Sequence, residues 1–147
     1  MESLTSTLRQ WEWIGALLAR LAVGLLFALS GGGKLFVPAR REQMRATLRE
    51  AGVPAPAKSA VVVSSVELVF GTFLVLGFLT PLCCLMLSGV MLGALATVAV
   101  PGIKADSVVG WLGEFLYLPE VLYLVILVWL FFSGPGWLSV DRLLSIA

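Results

Sequence analysis

The sequence predicts an all-α fold: an integral membrane four-helix bundle with a short basic amphipathic interfacial helix between spans one and two. Three observations predict it. Of 147 residues, 59% are hydrophobic and only 13% are charged, about half the charged share of a soluble domain. Mean hydropathy is +1.00. The apolar residues also fall into four runs punctuated by proline and glycine, each close to the roughly 20 residues that a helical span needs. Disorder, a coiled coil and an ordinary soluble enzyme are excluded. What is left is one domain over residues 1–147, with little chain to spare for any soluble part.

Span one covers about residues 13–36. Ala28-Leu29-Ser30 before Gly31 has the look of a signal-peptide cleavage site, but Arg20 interrupts the apolar core, and Glu2 and Glu12 dilute the leader. A retained span is therefore expected. Span two covers about 59–79 and ends at Thr80-Pro81, because proline breaks a continuing helix. Span three, about 82–100, follows at once and stops at Pro101-Gly102, so spans two and three form an antiparallel hairpin. Span four covers about 118–133, with Pro119 as a first-turn proline. The amphipathic stretch Trp111–Tyr117 before it either lies at the interface or extends span four through a kink. Gly134-Pro135-Gly136 closes the span, and Trp137 to Ala147 reads as a short interfacial tail.

The one long loop, residues 37–58, carries the basic amphipathic helix, with Met44 and Leu48 on one face. From Lys34 to Lys58 there are six Lys/Arg, and Lys104 falls on the same side. Only Arg9 and Arg142 lie beyond the membrane on the other. The positive-inside rule predicts that loop 37–58 is cytoplasmic and both termini are outside. Anchoring on anionic headgroups is the plainer role for this helix, and docking of a partner the sharper one.

Small residues predict close helix packing, at Gly24, Ala28 and Gly32 on span one, at Gly71 on span two and at the Gly89/Gly93 pair on span three. Net charge is +1, which gives no field for nucleic acid. The chain has no histidine, and no metal site is expected. The adjacent Cys83 and Cys84 sit in an apolar run, where a vicinal disulfide is strained and burial keeps thiols unreactive. They read as inert small hydrophobes.

Charges inside the spans are the informative residues, since each costs about 2.5–3.5 kcal/mol at mid-membrane and must find a partner. Because spans alternate in direction, Lys34, Glu67 and Glu120 share one half of the bundle. Arg20 lies about 21 Å from Lys34 along the axis, toward Glu12 or Asp141. Arg20, Phe27 and Lys34 share a face at heptad spacing. Ser64, Glu67 and Gly71 share another, and Tyr117, Glu120 and Tyr123 form a polar-aromatic stripe. Two readings follow. The plainer one is that these groups tie the helices together through buried ion pairs. The sharper one is an intramembrane pocket lined by Lys34, Glu67, Glu120, Tyr117, Tyr123 and Arg20, which binds a small headgroup or relays protons with Glu67 as its titrating member. A third possibility is snorkelling to the interface.

The run Leu18-Ala-Arg20-Leu-Ala-Val-Gly24-Leu-Leu-Phe27-Ala-Leu-Ser30-Gly31-Gly-Gly-Lys34-Leu35-Phe36 resembles the opening signature of the DoxX family. Val66-Glu67-Leu68-Val-Phe-Gly71 through Gly77-Phe-Leu-Thr80 is similar to that family's second span, and Gly134-Pro-Gly-Trp-Leu-Ser139-Val-Asp141 to its common tail. The resemblance covers most of the chain and rests on Arg20, Gly24, Lys34, Glu67 and Gly71. It implies a multi-pass protein of the bacterial inner membrane, in a family some of whose members are linked to thiosulfate:quinone oxidoreduction, others to membrane oxidoreductase complexes acting in oxidative and thiol stress, and many to no assigned activity. No haem, flavin or iron–sulfur ligands are evident, so electron transfer would use a bound quinone or a redox partner protein. A homodimer is a further expectation. The rival is a non-enzymatic assembly or anchoring factor, or a small-molecule carrier.

Overall fold

The computed structural model describes residues 11–144. Arg9 and Glu2, used above in the charge and leader arguments, lie outside that range, as does the end of the tail. Helix α1 is Glu12–Phe36, α2 is Pro38–Glu50 and α3 is Pro56–Leu76. Helix α4 is Thr80–Ala94 and continues through a π-helical turn, Leu95–Ala99. Then come α5 (Val108–Tyr117), α6 (Pro119–Ser133) and a short α7 (Val140–Leu143). Among the described residues there is no strand, and the fold is the expected helical membrane bundle.

Three helices are long and apolar enough to cross a membrane, namely α1, α3 and the Thr80–Ala99 unit. The fourth crossing needs α5 and α6 together, and these meet at 61°. Pro119 sits in the first turn of α6 and Leu118 is extended, so the α5 backbone does not run on into α6. The 61° break fits a kinked extension of span four as well as an interfacial helix. The segment is a separate helix, beginning at Val108, with no buried residue of its own.

The break between spans two and three falls earlier than Thr80-Pro81. Helix α3 ends at Leu76 because Gly77 takes the left-handed conformation (φ 66°) and its N–H bonds back into the last turn, a glycine C-cap. Pro81 instead occupies the first turn of α4, where a missing N–H costs nothing.

Helix α1 packs most extensively on α3, α4 packs on both α3 and α6, and α2 lies across α1 and α3. The α1–α3 seam is backbone against backbone. A Cβ on Gly71 would lie 2.6 Å from Ala28 N, and one on Gly31 would lie 2.5 Å from both Leu68 N and Ser64 O. Gly24 has the same constraint, with Gly71 O at 3.0 Å. The α1 face is thus Gly24, Phe27 and Gly31, spaced by seven between the glycines. Gly32 is off it, meeting only Leu68 Cδ1 at 3.7 Å. Gly89 and Gly93 correct the expectation further. Nothing lies within 4 Å of a Cβ on either, because α4 turns Cys83, Cys84, Leu87 and Met91 inward instead. The core closes around Phe27, Leu74, Leu87, Leu127 and Leu130. Leu18, Leu29, Leu85, Val125 and Phe132 face outward, an apolar surface suited to acyl chains.

Candidate functional site

The strongest polar contact inside the bundle joins α1 to α3. Lys34 Nζ lies 2.8 and 2.9 Å from the two Glu67 carboxylate oxygens. Ser30 Oγ, one turn before Lys34, donates to Glu67 Oε2 at 3.2 Å. The Glu67 side chain is 4% exposed and that of Lys34 25%. Positions on both sides of the α1–α3 seam explain this geometry. Ser64, Glu67 and Gly71 are all buried on one α3 face, and Gly31 removes the side chain that would hold the helices apart. Lys34, in the last turn of α1, reaches inward along its stem. The carboxylate's charge is matched and its acceptors are occupied, so the cluster ties helices together. Ser30 went unnoticed in the sequence, although its i−4 spacing to Lys34 places it on the same face.

Arg20 lies in a second cluster at the other end of α1. It is 2% exposed and donates to the carbonyls of Pro135 and Leu138, not to a carboxylate of Glu12 or Asp141. Asp141, also 2% exposed, accepts from Leu79 N at 2.6 Å and Thr80 N at 2.8 Å. Its own N–H donates to Gly77 O at 2.9 Å. The tail is therefore not a loose interfacial segment as far as Asp141. It folds back, and Arg20 holds its carbonyls from below while Asp141 caps α4 from outside. The sequence signal was Ser139, which accepts from Arg142 N at 3.3 Å as an N-cap and so turns Asp141 inward.

The predicted stripe on span four is split by the 61° bend. Tyr117, on α5, is 89% exposed. Tyr123, on α6, packs edge-on against Phe27 at 6.1 Å. Glu120 makes no hydrogen bond to Lys34, Ser30 or Glu67 among the described residues, and its Oε2 is buried without a partner. The six predicted site residues thus do not gather in one pocket. Lys34 and Glu67 meet, Arg20 belongs to the tail, and the span-four stripe divides, with Tyr117 exposed on α5, Glu120 in the first turn of α6 and Tyr123 against Phe27.

A groove lies under α5. It has a volume of about 530 Å³ and is lined by Ala99, Gly102, Ile103, Gly113, Glu114, Tyr117 and Leu118. Its walls are mainly apolar, and Glu114 and Tyr117 are the lining residues with polar side-chain groups. Trp111 and Phe115 stack at 5.2 Å on the same helix and stiffen it. Glu114 and the loop residues 102 and 103 were missed, since a groove of this kind arises from the bend at Leu118 and has no linear motif.

Cys83 and Cys84 are free and buried, and Cys83 Sγ donates to Phe78 O at 3.3 Å. Their packing role is as expected.

The DoxX family model matches residues 15–100. The chain belongs to the DoxX family. It is also 32% identical over 130 residues to the uncharacterized membrane protein Rv3486 of Mycobacterium tuberculosis (strain ATCC 25618 / H37Rv), a match spanning 86% of this chain and 78% of that protein. No solved structure matches. In this DoxX-family chain, the matched region holds Arg20, Lys34, Glu67 and the glycine seam. Most of the α5 groove and the tail segment Pro135–Asp141 lie C-terminal to it, whereas Ala99 of the groove and the tail's partners Arg20, Leu79 and Thr80 lie inside it.

Proposed function

We propose that this DoxX-family protein is a membrane subunit of a quinone- or thiol-linked oxidoreductase system, and that it holds a quinone-like amphiphile in the groove under α5. The observation that carries the reading is the groove itself. Its volume of about 530 Å³ lies within the range of small-molecule sites, and apolar walls with a few polar groups are what such sites share. Glu114 and Tyr117 are the groove-lining residues that carry a hydrogen-bond acceptor and a donor. A bound quinone would contribute two-electron, two-proton carrier chemistry. The chain's own residues would orient the ring and exchange protons at Glu114. Redox centres would come from a partner protein. The buried thiols argue against a direct part for Cys83 or Cys84.

In this reading the protein resides in the bacterial inner membrane with α2 on the cytoplasmic side, following the charge asymmetry. The Lys34–Glu67–Ser30 cluster is closed, which favours a second reading: a non-enzymatic assembly or anchoring subunit whose buried charges serve packing alone.

Equilibrium binding of decyl-ubiquinone to the detergent-solubilised protein separates the two. Binding that Gly113→Phe and Glu114→Gln each weaken at least tenfold, with Glu67→Gln folded and little changed, is expected. No binding by the wild type, or binding that ignores the groove substitutions, would overturn the quinone-site reading.

A further inference from the structure

Helix α2 begins one residue after α1, with Val37 as both the cap of α1 and the N-cap of α2. Leu48 is its buried anchor, 7% exposed. This fixes the first turn of α2 beside the last turn of α1. Arg40 folds back along α1, since a Cβ on Gly33 would lie 2.6 Å from its Nη1 and 3.1 Å from its Cδ. Arg41 also turns back, and donates to the carbonyl of Leu35. Both guanidinium groups therefore gather at the level of residues 33–35, where α1 leaves the apolar layer.

Neither has a countercharge. The ion pairs among the described residues are Lys34–Glu67 and Arg45–Glu42. The nearby ammonium of Lys34 is matched by Glu67, and Glu42 is taken by Arg45 at 3.5 Å. Two guanidinium groups with five N–H donors each are left at the membrane boundary, with Arg49 further along the helix. We propose that Arg40 and Arg41 bind the phosphate of an acidic phospholipid at the last turn of α1.

Charge and depth select this occupant. Paired guanidinium groups match phosphate oxygens in geometry, and the boundary of the acyl layer is where lipid phosphates sit. A zwitterionic headgroup brings its own cation and gains less. A protein partner needs an apolar anchor, and no large hydrophobic side chain is exposed between residues 38 and 50.

Native mass spectrometry of the full chain with phosphatidylglycerol or phosphatidylcholine tests this directly. Wild-type protein retains phosphatidylglycerol in preference to phosphatidylcholine, and Arg40→Gln/Arg41→Gln reduces that retention by about fivefold per arginine removed. Arg142→Gln, whose guanidinium stacks on Trp137 at 4.4 Å, leaves it unchanged. Should the double variant fail to fold, Arg40→Gln alone keeps the Arg41–Leu35 bond and reads the same preference. Equal retention of the two lipids by the wild type, or an undiminished preference in Arg40→Gln, overturns the proposal. Loss of the preference on adding inorganic phosphate at constant ionic strength also overturns it, because the site would then take a free anion.

Discussion

Asp141 accepts the backbone N–H of Thr80 at 2.8 Å across 61 residues of sequence, and so supplies from the tail the N-cap that α4 lacks locally. Helix α4 has no side-chain cap of its own, and its N-cap residue, Leu79, sits in the left-handed region at φ 50°. A branched side chain there is strained, so the turn needs outside support. Asp141 gives it through both carboxylate oxygens. Its negative charge also lies at the positive end of the α4 dipole, while Arg20 approaches from the α1 side.

Removing this cap destabilises the bundle. Asp141→Ala leaves two N–H groups in a buried turn without an acceptor and costs about 2–3 kcal/mol. Asp141→Asn keeps one acceptor and costs less. Thermal unfolding in detergent measures both, and an Asp141→Ala variant as stable as the wild type would show that the tail rests passively on the bundle.

The glycines divide into those that need to be glycine and those that do not. Gly31→Ala drives a methyl to 2.5 Å from two backbone atoms of α3, which neither helix can yield without separating. A loss of several kcal/mol, in the range of overpacked or broken core contacts, is expected. Gly89→Ala meets nothing within 4 Å and gains up to about 1 kcal/mol of helix propensity. Equal effects at the two positions would refute the seam described here.

Legibility followed contact range. The spans, the heptad face of Arg20, Phe27 and Lys34, and the Lys34–Glu67 meeting were readable because helical periodicity and alternating span direction fix them. Small residues alone did not say which face is used. Gly24 and Gly71 pack, whereas Gly89 and Gly93 look outward, since side-chain volume is local and the choice of partner helix is not. Asp141 as a cap and the split of Tyr117 from Tyr123 depend on how the chain turns at Gly134–Gly136 and Leu118. A one-residue change of direction there moves a side chain to another wall of the bundle.

Breaking the Lys34–Glu67 pair from one side costs more than replacing it entirely. Glu67→Met strands an ammonium that is three-quarters covered, and a loss of about 2–4 kcal/mol is expected after allowing for that partial exposure. Lys34→Met/Glu67→Met removes both charges and should recover much of it, as buried pairs exchanged for apolar groups often do. A double-mutant cycle on unfolding in detergent reads the coupling. Additive losses would mean that the two side chains act independently.

Cys83 and Cys84 should be silent toward thiol reagents until the bundle opens. They are 0% and 1% exposed, and Leu87 and Leu127 complete the apolar core around them. The reagent has to reach the sulfur, and the packed core around both residues blocks it. N-ethylmaleimide should label neither residue in the folded protein and both after denaturation, counted by intact mass. Because the pair sits one turn inside the α4 cap, Asp141→Ala should hasten labelling of Cys83 before global unfolding. Rapid labelling of the folded wild type would instead reveal an access path to the thiols, and with it a thiol role that their burial argues against.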